Sequence, residues 1–87
     1  MMKDFLIAFL NSHFLHCTDN INFMSVNIEA MLNNQYKIVN VKKAESKTVY
    51  TFENVNDKNA NLVDIIFDLS PTHYITKIDV EEINKAA

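Results

Sequence analysis

Apolar residues recur along this chain with two different periods, and the change of period divides it. From Met2 to about Leu15 they fall at Met2, Phe5, Leu6, Phe9, Leu10 and Phe14, the three- and four-residue spacing of one helical face. Ile7 lies off that stripe, which implies contact on a second side. Thr18-Asp19 then supplies an N-cap signal, because a short oxygen-bearing side chain there can accept from an otherwise unpaired helical N–H. The next segment, 21–32, fits two patterns. Ile21, Met24, Ile28, Met31 and Leu32 suit a helix, whereas Met24, Val26, Ile28 and Ala30 alternate with polar residues as in a strand. The run Glu29-Ala30-Met31-Leu32 decides for helix by propensity, and Asn33-Asn34-Gln35 ends it.

Beyond Gln35 the period becomes two. Four runs, at about 36–43, 48–55, 62–69 and 74–81, are rich in Val, Ile, Tyr, Phe and Thr and are separated by turn signals. Pairing the last two across Ser70-Pro71-Thr72-His73 sets Leu69 opposite Tyr74, Phe67 opposite Thr76, Ile65 opposite Ile78 and Val63 opposite Val80. A turn at Glu45-Ser46 sets Val41 opposite Tyr50 and Val39 opposite Phe52. Both registers gather apolar residues on one face, and a one-residue slip would destroy that agreement. The expected fold is therefore α+β, a single domain over 1–87, with one N-terminal helix or two packed on a four-stranded antiparallel meander. Its inner face would carry Val39, Val41, Tyr50, Phe52, Val63, Ile65, Phe67, Leu69, Tyr74, Ile78 and Val80. A helix wrapped by a curved meander is similar to the cystatin-like arrangement; the likeness is one of layout, and no activity or site residue follows from it.

The other face is less polar than a solvated sheet surface should be. Ile38, Val49, Val55, Leu62, Ile66 and Ile75 would lie there among Asn40, Lys42, Thr51, Glu53, Asp64, Asp68 and Lys77. Branched aliphatics in such a place imply a second cover, either the 18–33 segment or another protein chain. Scattered surface aliphatics are the ordinary alternative.

Composition narrows the function classes. The 87 residues contain no glycine and a single cysteine, Cys17. Phosphate-cradling glycine loops and the G-x-S-x-G nucleophile elbow are thereby excluded. An internal disulfide is excluded too, which points to a reducing, cytoplasmic setting. No apolar run approaches the ~20 residues of a membrane span. There is no arginine, the main bidentate reader of guanine and phosphate. Twelve asparagines stand in for glycine in turns, since Asn tolerates the left-handed region.

Three groups of residues invite a chemical reading. His13, His16 and Cys17 form H-x-x-H-C, and i, i+4 spacing on a continuing helix could bring two of them to one zinc ion. The spacing lacks a paired motif, and histidines at a helix C-terminus are favoured by the dipole alone, so no metal or cofactor is assigned. Asp64 falls across from Asp79, and Leu62 across from Glu81; opposed carboxylates destabilise a sheet unless a cation or shared proton relieves them. Lys77, diagonal to Asp64, is the bland relief. Finally, residues 36–49 hold Lys37, Lys42, Lys43 and Lys47 against Glu45, a balance of +3, while residues 50–87 hold seven acids against three lysines, −4. A basic hairpin could meet nucleic acid, although no aromatic platform accompanies it.

The expected function is a small non-enzymatic protein-binding module. An inhibitor or immunity-type protein of a mobile element fits the Asn-, Lys- and Ile-rich composition. Its contact to a basic partner would run over Glu53, Leu62, Asp64, Ile66, Asp68, Ile75, Asp79 and Glu81. Two other readings compete. A ligand-binding or enzymatic cystatin-like domain would need His13, Tyr50, Tyr74 and Thr76 to converge between helix and sheet. A homodimer would join two sheet faces.

Overall fold

The computed structural model describes residues 3–84. Met2 and the side chain of Ile21, both assigned above to helix faces, lie outside the described residues. Two N-terminal helices, α1 (Lys3–Phe14) and α2 (Ile21–Met31), precede β1 (Tyr36–Lys43), β2 (Lys47–Asn54), β3 (Leu62–Leu69) and β4 (Ile75–Ile83). The strands pair antiparallel in chain order. This is the expected α+β meander, and the 21–32 segment is a helix. Val26, which a strand would have turned inward, is 64% exposed.

Both helices cover the same side of the sheet, α1 over β4 and α2 over β1. They contribute Leu6, Leu10, Phe14, Met24 and Ile28 to one core with Tyr50, Phe52, Val63, Ile65, Phe67, Leu69, Ile75, Ile78 and Val80. The 18–33 segment is therefore no cover for the second face. On α1 the buried edge is narrower than the apolar stripe: Leu6, Leu10 and Phe14 are buried, while Phe5 and Phe9 look outward. Ile7 packs against the core from the side, as its place off the stripe implied.

Two bulges correct the expected registers. In β1 the pairing slips between Ile38 and Asn40, so Ile38 faces Phe52 while Val41 keeps its place opposite Tyr50. Val39 is the extra residue and is exposed, and Ile38 packs on the core in its stead. In the last hairpin His73 takes φ 66° behind the turn that Pro71 begins, and Ser70 N–H donates to Tyr74 O at 2.8 Å. A left-handed residue after such a turn adds one residue to the loop. A second slip between Asp68 and Leu69 then pairs Leu69 with Ile75 and Phe67 with Ile78. Ile75 is fully buried where the outer face was expected, and Tyr74 is exposed where the core was expected. Beyond the bulge the register is offset by two residues, Ile65 opposite Val80; an even offset keeps every side chain on its assigned face.

The absence of glycine is met at named positions. Asn33 and Asn34, each at φ 57°, close α2, with Asn34 N–H donating to Glu29 O at 2.8 Å. His16, at φ 70°, ends α1 and turns the chain against β4. There His16 N–H donates to Ile75 O, and Ile75 N–H returns a bond to Cys17 O, both at 2.8 Å. Thr18 bridges to Tyr74, so this short stretch covers one end of the β4 edge.

Asp19 does not cap α2. Asn20 does, its side chain accepting from Phe23 N–H at 3.1 Å. Asp19 instead accepts from Thr48 Oγ1 and from Tyr50 Oη, each at 2.7 Å, one donor on each carboxylate oxygen. The interhelical turn is thereby pinned to the buried side of β2. The carboxylate also satisfies two hydroxyls that burial would otherwise leave unpaired, a loss of about 1–3 kcal/mol each. Burial pushes the Tyr50 phenol well above its ordinary value, and the hydrogen bond to Asp19 and its negative charge push the same way.

Alanine at Phe52 or Phe67, both fully buried, should cost ~3–5 kcal/mol in denaturant unfolding, whereas Tyr74→Ala should stay within ~0.5 kcal/mol. Equal effects would show the last hairpin to be in the unbulged register. Because the fold favours neutral Tyr50, its contribution is complete below the unfolded phenol value of about 10 and is lost as pH rises past it. Tyr50→Phe should cost about 1.5–3 kcal/mol near neutrality and fall less steeply than wild type above pH ~10 in alkaline melts. Parallel alkaline slopes would contradict the raised phenol value.

Candidate functional site

Strand alternation that fills the core on one side leaves a defined set of side chains on the other. On the central strands these are Val49, Thr51 and Glu53 of β2 and Leu62, Asp64, Ile66 and Asp68 of β3, all half-buried. The cross-strand pairs align them in rows. Lys42, Val49, Ile66 and Asp79 form one row; Asn40, Thr51, Asp64 and Glu81 form the next. Aliphatic and acidic side chains thus share the central strands, with Val49 beside Ile66 in one row and Asp64 between Leu62 and Ile66 along β3. On the edge strands Lys37 and Lys42 stand on β1, and Lys77, opposite Asp68, shares β4 with Asp79 and Glu81. Ile83, 38% exposed, continues the apolar strip beside Leu62, its cross-strand partner. Neither helix reaches this side.

The polar groups of this face are unequally satisfied. Thr51 Oγ1 donates to Asp64 Oδ1 at 2.6 Å. Lys47 lies 3.9 Å from Asp68 with both side chains well exposed, a geometry worth little in water. Lys58 Nζ meets Glu53 Oε1 at 2.9 Å. Asp79 accepts from the N–H of Val80 at 2.8 Å. Among the described residues no lysine pairs with Asp64, Asp79 or Glu81. The expected Asp64–Asp79 opposition is replaced through the two-residue offset: Asp64 faces Glu81, and Asp79 faces Ile66. A carboxylate still faces a carboxylate, and the cross-strand repulsion survives the change of partner.

Of the eight residues assigned to partner contact, Glu53, Leu62, Asp64, Ile66, Asp68, Asp79 and Glu81 share this face. Ile75 does not. The bulge turns it into the core at 0% exposure, where a polar replacement would unfold the domain rather than block a contact. Val55, 37% exposed, lies just past the end of β2. Ile83 was not singled out, although its place two residues after Glu81 in an alternating strand puts it on this face.

The other candidates dissolve into local structure. α1 ends at Phe14, so His13, His16 and Cys17 do not share a continuing helix. His13 Nδ1 lies 2.9 Å from Phe9 O, and Cys17 Sγ donates to His13 O at 3.5 Å. Among the described residues no three His, Cys, Asp or Glu side chains are grouped to hold a metal ion. His13, Tyr50, Tyr74 and Thr76 do not converge either. Tyr50 is sealed against Asp19, Thr76 Oγ1 donates to Asp68 O at 3.2 Å, and His13 and Tyr74 are exposed. The basic hairpin carries Lys42, Lys43 and Lys47 in the open, with Tyr50 and Phe52 committed to the core.

These assignments rest on the chain's own residues, for comparison with protein-family models, with curated proteins and with solved structures found no match.

Proposed function

We propose that the chain is a protein-binding module whose recognition surface is the open face of the sheet. One observation carries this reading: Val49, Leu62 and Ile66 stand half-buried on a sheet face that neither helix covers, beside Asp64, Asp79 and Glu81, with which no lysine among the described residues pairs. Aliphatic side chains left half-buried on an uncovered sheet face call for a second surface to cover them. The partner brings an apolar contact to the aliphatic row and a basic patch to Asp64, Asp79 and Glu81, with which no lysine among the described residues pairs. Charge of that kind sets orientation and speeds encounter more than it adds affinity.

An inhibitor or immunity-type role follows as the finer proposal. A rigid sheet face needs no rearrangement on docking, so it spends little ordering free energy, and a small acidic domain suits a target with a basic functional surface. Binding to nucleic acid through the β1–β2 hairpin is a weaker reading. The lysines there are exposed, yet both aromatics that could stack bases lie in the core.

The site carries its own test. Glu81→Lys replaces a like-charge pair by an opposite one and should stabilise the free domain by roughly 0.2–1 kcal/mol. The same change should weaken capture of the partner, as should Ile66→Asp. Quantitative pull-down with wild type, E81K and I66D reads this directly. The expected result is one basic protein retained by wild type, released by salt, and lost from both variants while their folds persist. Equal retention by all three would remove the sheet face from the interaction.

A further inference from the structure

β1 and β4 are the two edges of the sheet, and the pairing pattern fixes which of their main-chain groups turn outward. In an antiparallel pair, successive residues alternate between bonding the neighbouring strand and facing away from it. Val55 N–H donates to Gln35 O at 2.9 Å, so three residues on, Ile38, opposite Phe52, faces away. Leu69 N–H donates to Ser46 O, on the β2 side of β3. The β4 partners of Phe67, Ile65 and Val63, which are Ile78, Val80 and Glu82, therefore turn their N–H groups off the sheet. Rows of this kind are what a strand from another molecule pairs with.

Both rows are interrupted, and by the same kind of group. On β1, Glu29 reaches across from α2, and its Oε2 accepts from Ile38 N–H at 3.1 Å. On β4, Asp79 Oδ1 accepts from Val80 N–H at 2.8 Å. At the start of β4 the outward N–H and C=O of Ile75 are taken by the main chain of Cys17 and His16. The two bulges also fall on the edge strands, while the β2–β3 pairing runs without a slip. A bulge twists an edge away from a flat partner.

We infer that Glu29 and Asp79 are edge guards: their carboxylates occupy outward N–H groups that an added strand would need, and so keep copies of the chain from joining sheet to sheet. Charge shows why guards are needed. β1 exposes Lys37, Lys42 and Lys43, while β4 carries Asp79, Glu81 and Glu82 against Lys77. Opposite charge on the two edges of one sheet draws the β1 edge of one copy toward the β4 edge of the next. That contact is head to tail, and repetition of it builds an open fibre. An added strand must first displace a carboxylate from its donor and leave it beside main-chain carbonyls, and a charge buried without a partner is penalised. The guards act at the strand edges, whether or not the open face of the sheet binds a partner.

Amide hydrogen exchange and sedimentation velocity test the inference together. Glu29→Ala should speed exchange at the Ile38 amide roughly tenfold, and Asp79→Ala should do the same at Val80, because each amide loses its acceptor. Glu29→Gln and Asp79→Asn keep an acceptor oxygen and should leave both amides near their wild-type rates. The double variant E29A/D79A, with unchanged far-ultraviolet circular dichroism, should form species larger than a dimer that grow with concentration and bind thioflavin T. Wild type and E29Q/D79N should not. A folded double variant that keeps the wild-type size up to millimolar concentration overturns the inference. So does equal growth by E29Q/D79N, since charge and not occupancy of the N–H would then be the guard. Unchanged exchange at Ile38 and Val80 in the single alanine variants overturns it as well, whether or not the double variant folds.

Discussion

The pleat of β2 and β3 is the constraint from which the rest of this structure follows. Successive side chains on a strand leave opposite faces, and these two strands are interior to the sheet, so both of their faces are fixed at once. Tyr50, Phe52, Val63, Ile65, Phe67 and Leu69 take the inner side and call for a cover, which α1 and α2 supply. The residues between them have no freedom left. Val49, Leu62 and Ile66 must stand on the outer side, together with Thr51, Asp64 and Asp68. The mixed aliphatic and acidic character of the open face is thus a geometric consequence of the same alternation that builds the core.

Around those fixed central strands, the edges are adjusted by single residues. Val39 and the Thr76 region absorb extra length as bulges, and each re-aims its neighbours: Ile38 and Ile75 turn inward, Val39 and Tyr74 outward. Left-handed backbone, which most chains give to glycine, falls here to Asn33, Asn34, His16 and His73. Asn is a tolerable choice there because its short polar side chain suits that region. Carboxylates finish the work. Asp19 ties the interhelical turn to β2, and Glu29 satisfies the Ile38 N–H beside the β1 bulge. Having been used inside, neither charge is left to decorate the helices.

Two surfaces of different character result. The sheet face mixes aliphatics with charge, and no lysine among the described residues pairs with Asp64, Asp79 or Glu81; a fold concerned only with its own stability gains nothing from Asp64 opposite Glu81. The helical face is sparsely charged, with Asp19 and Glu29 turned onto the sheet and Lys3 and Asp4 exposed at the start of α1. The contrast follows the sequence, in which charge is sparse before Lys37 and dense after it.

The order of elements, the period of each and the faces of the central strands were legible in the residues alone. Hydrophobic periodicity is a local property, and an apolar residue every second position specifies its own side of a sheet. So were most of the outer-face residues, because an even offset in register leaves the faces untouched. Three things were decided only by the tertiary structure. The bulges that moved Ile75 and Tyr74 depend on a turn in which His73 accepts a left-handed backbone, a choice settled by how the hairpin closes over the core. The side taken by α2 depends on where the interhelical turn is tied, and the tie is a carboxylate meeting hydroxyls 29 and 31 residues further along the chain. The exposure of Phe5 and Phe9 depends on the width of the contact that α1 makes with β4. A helix's apolar stripe states how much it could bury; only the surface it lands on determines how much it does.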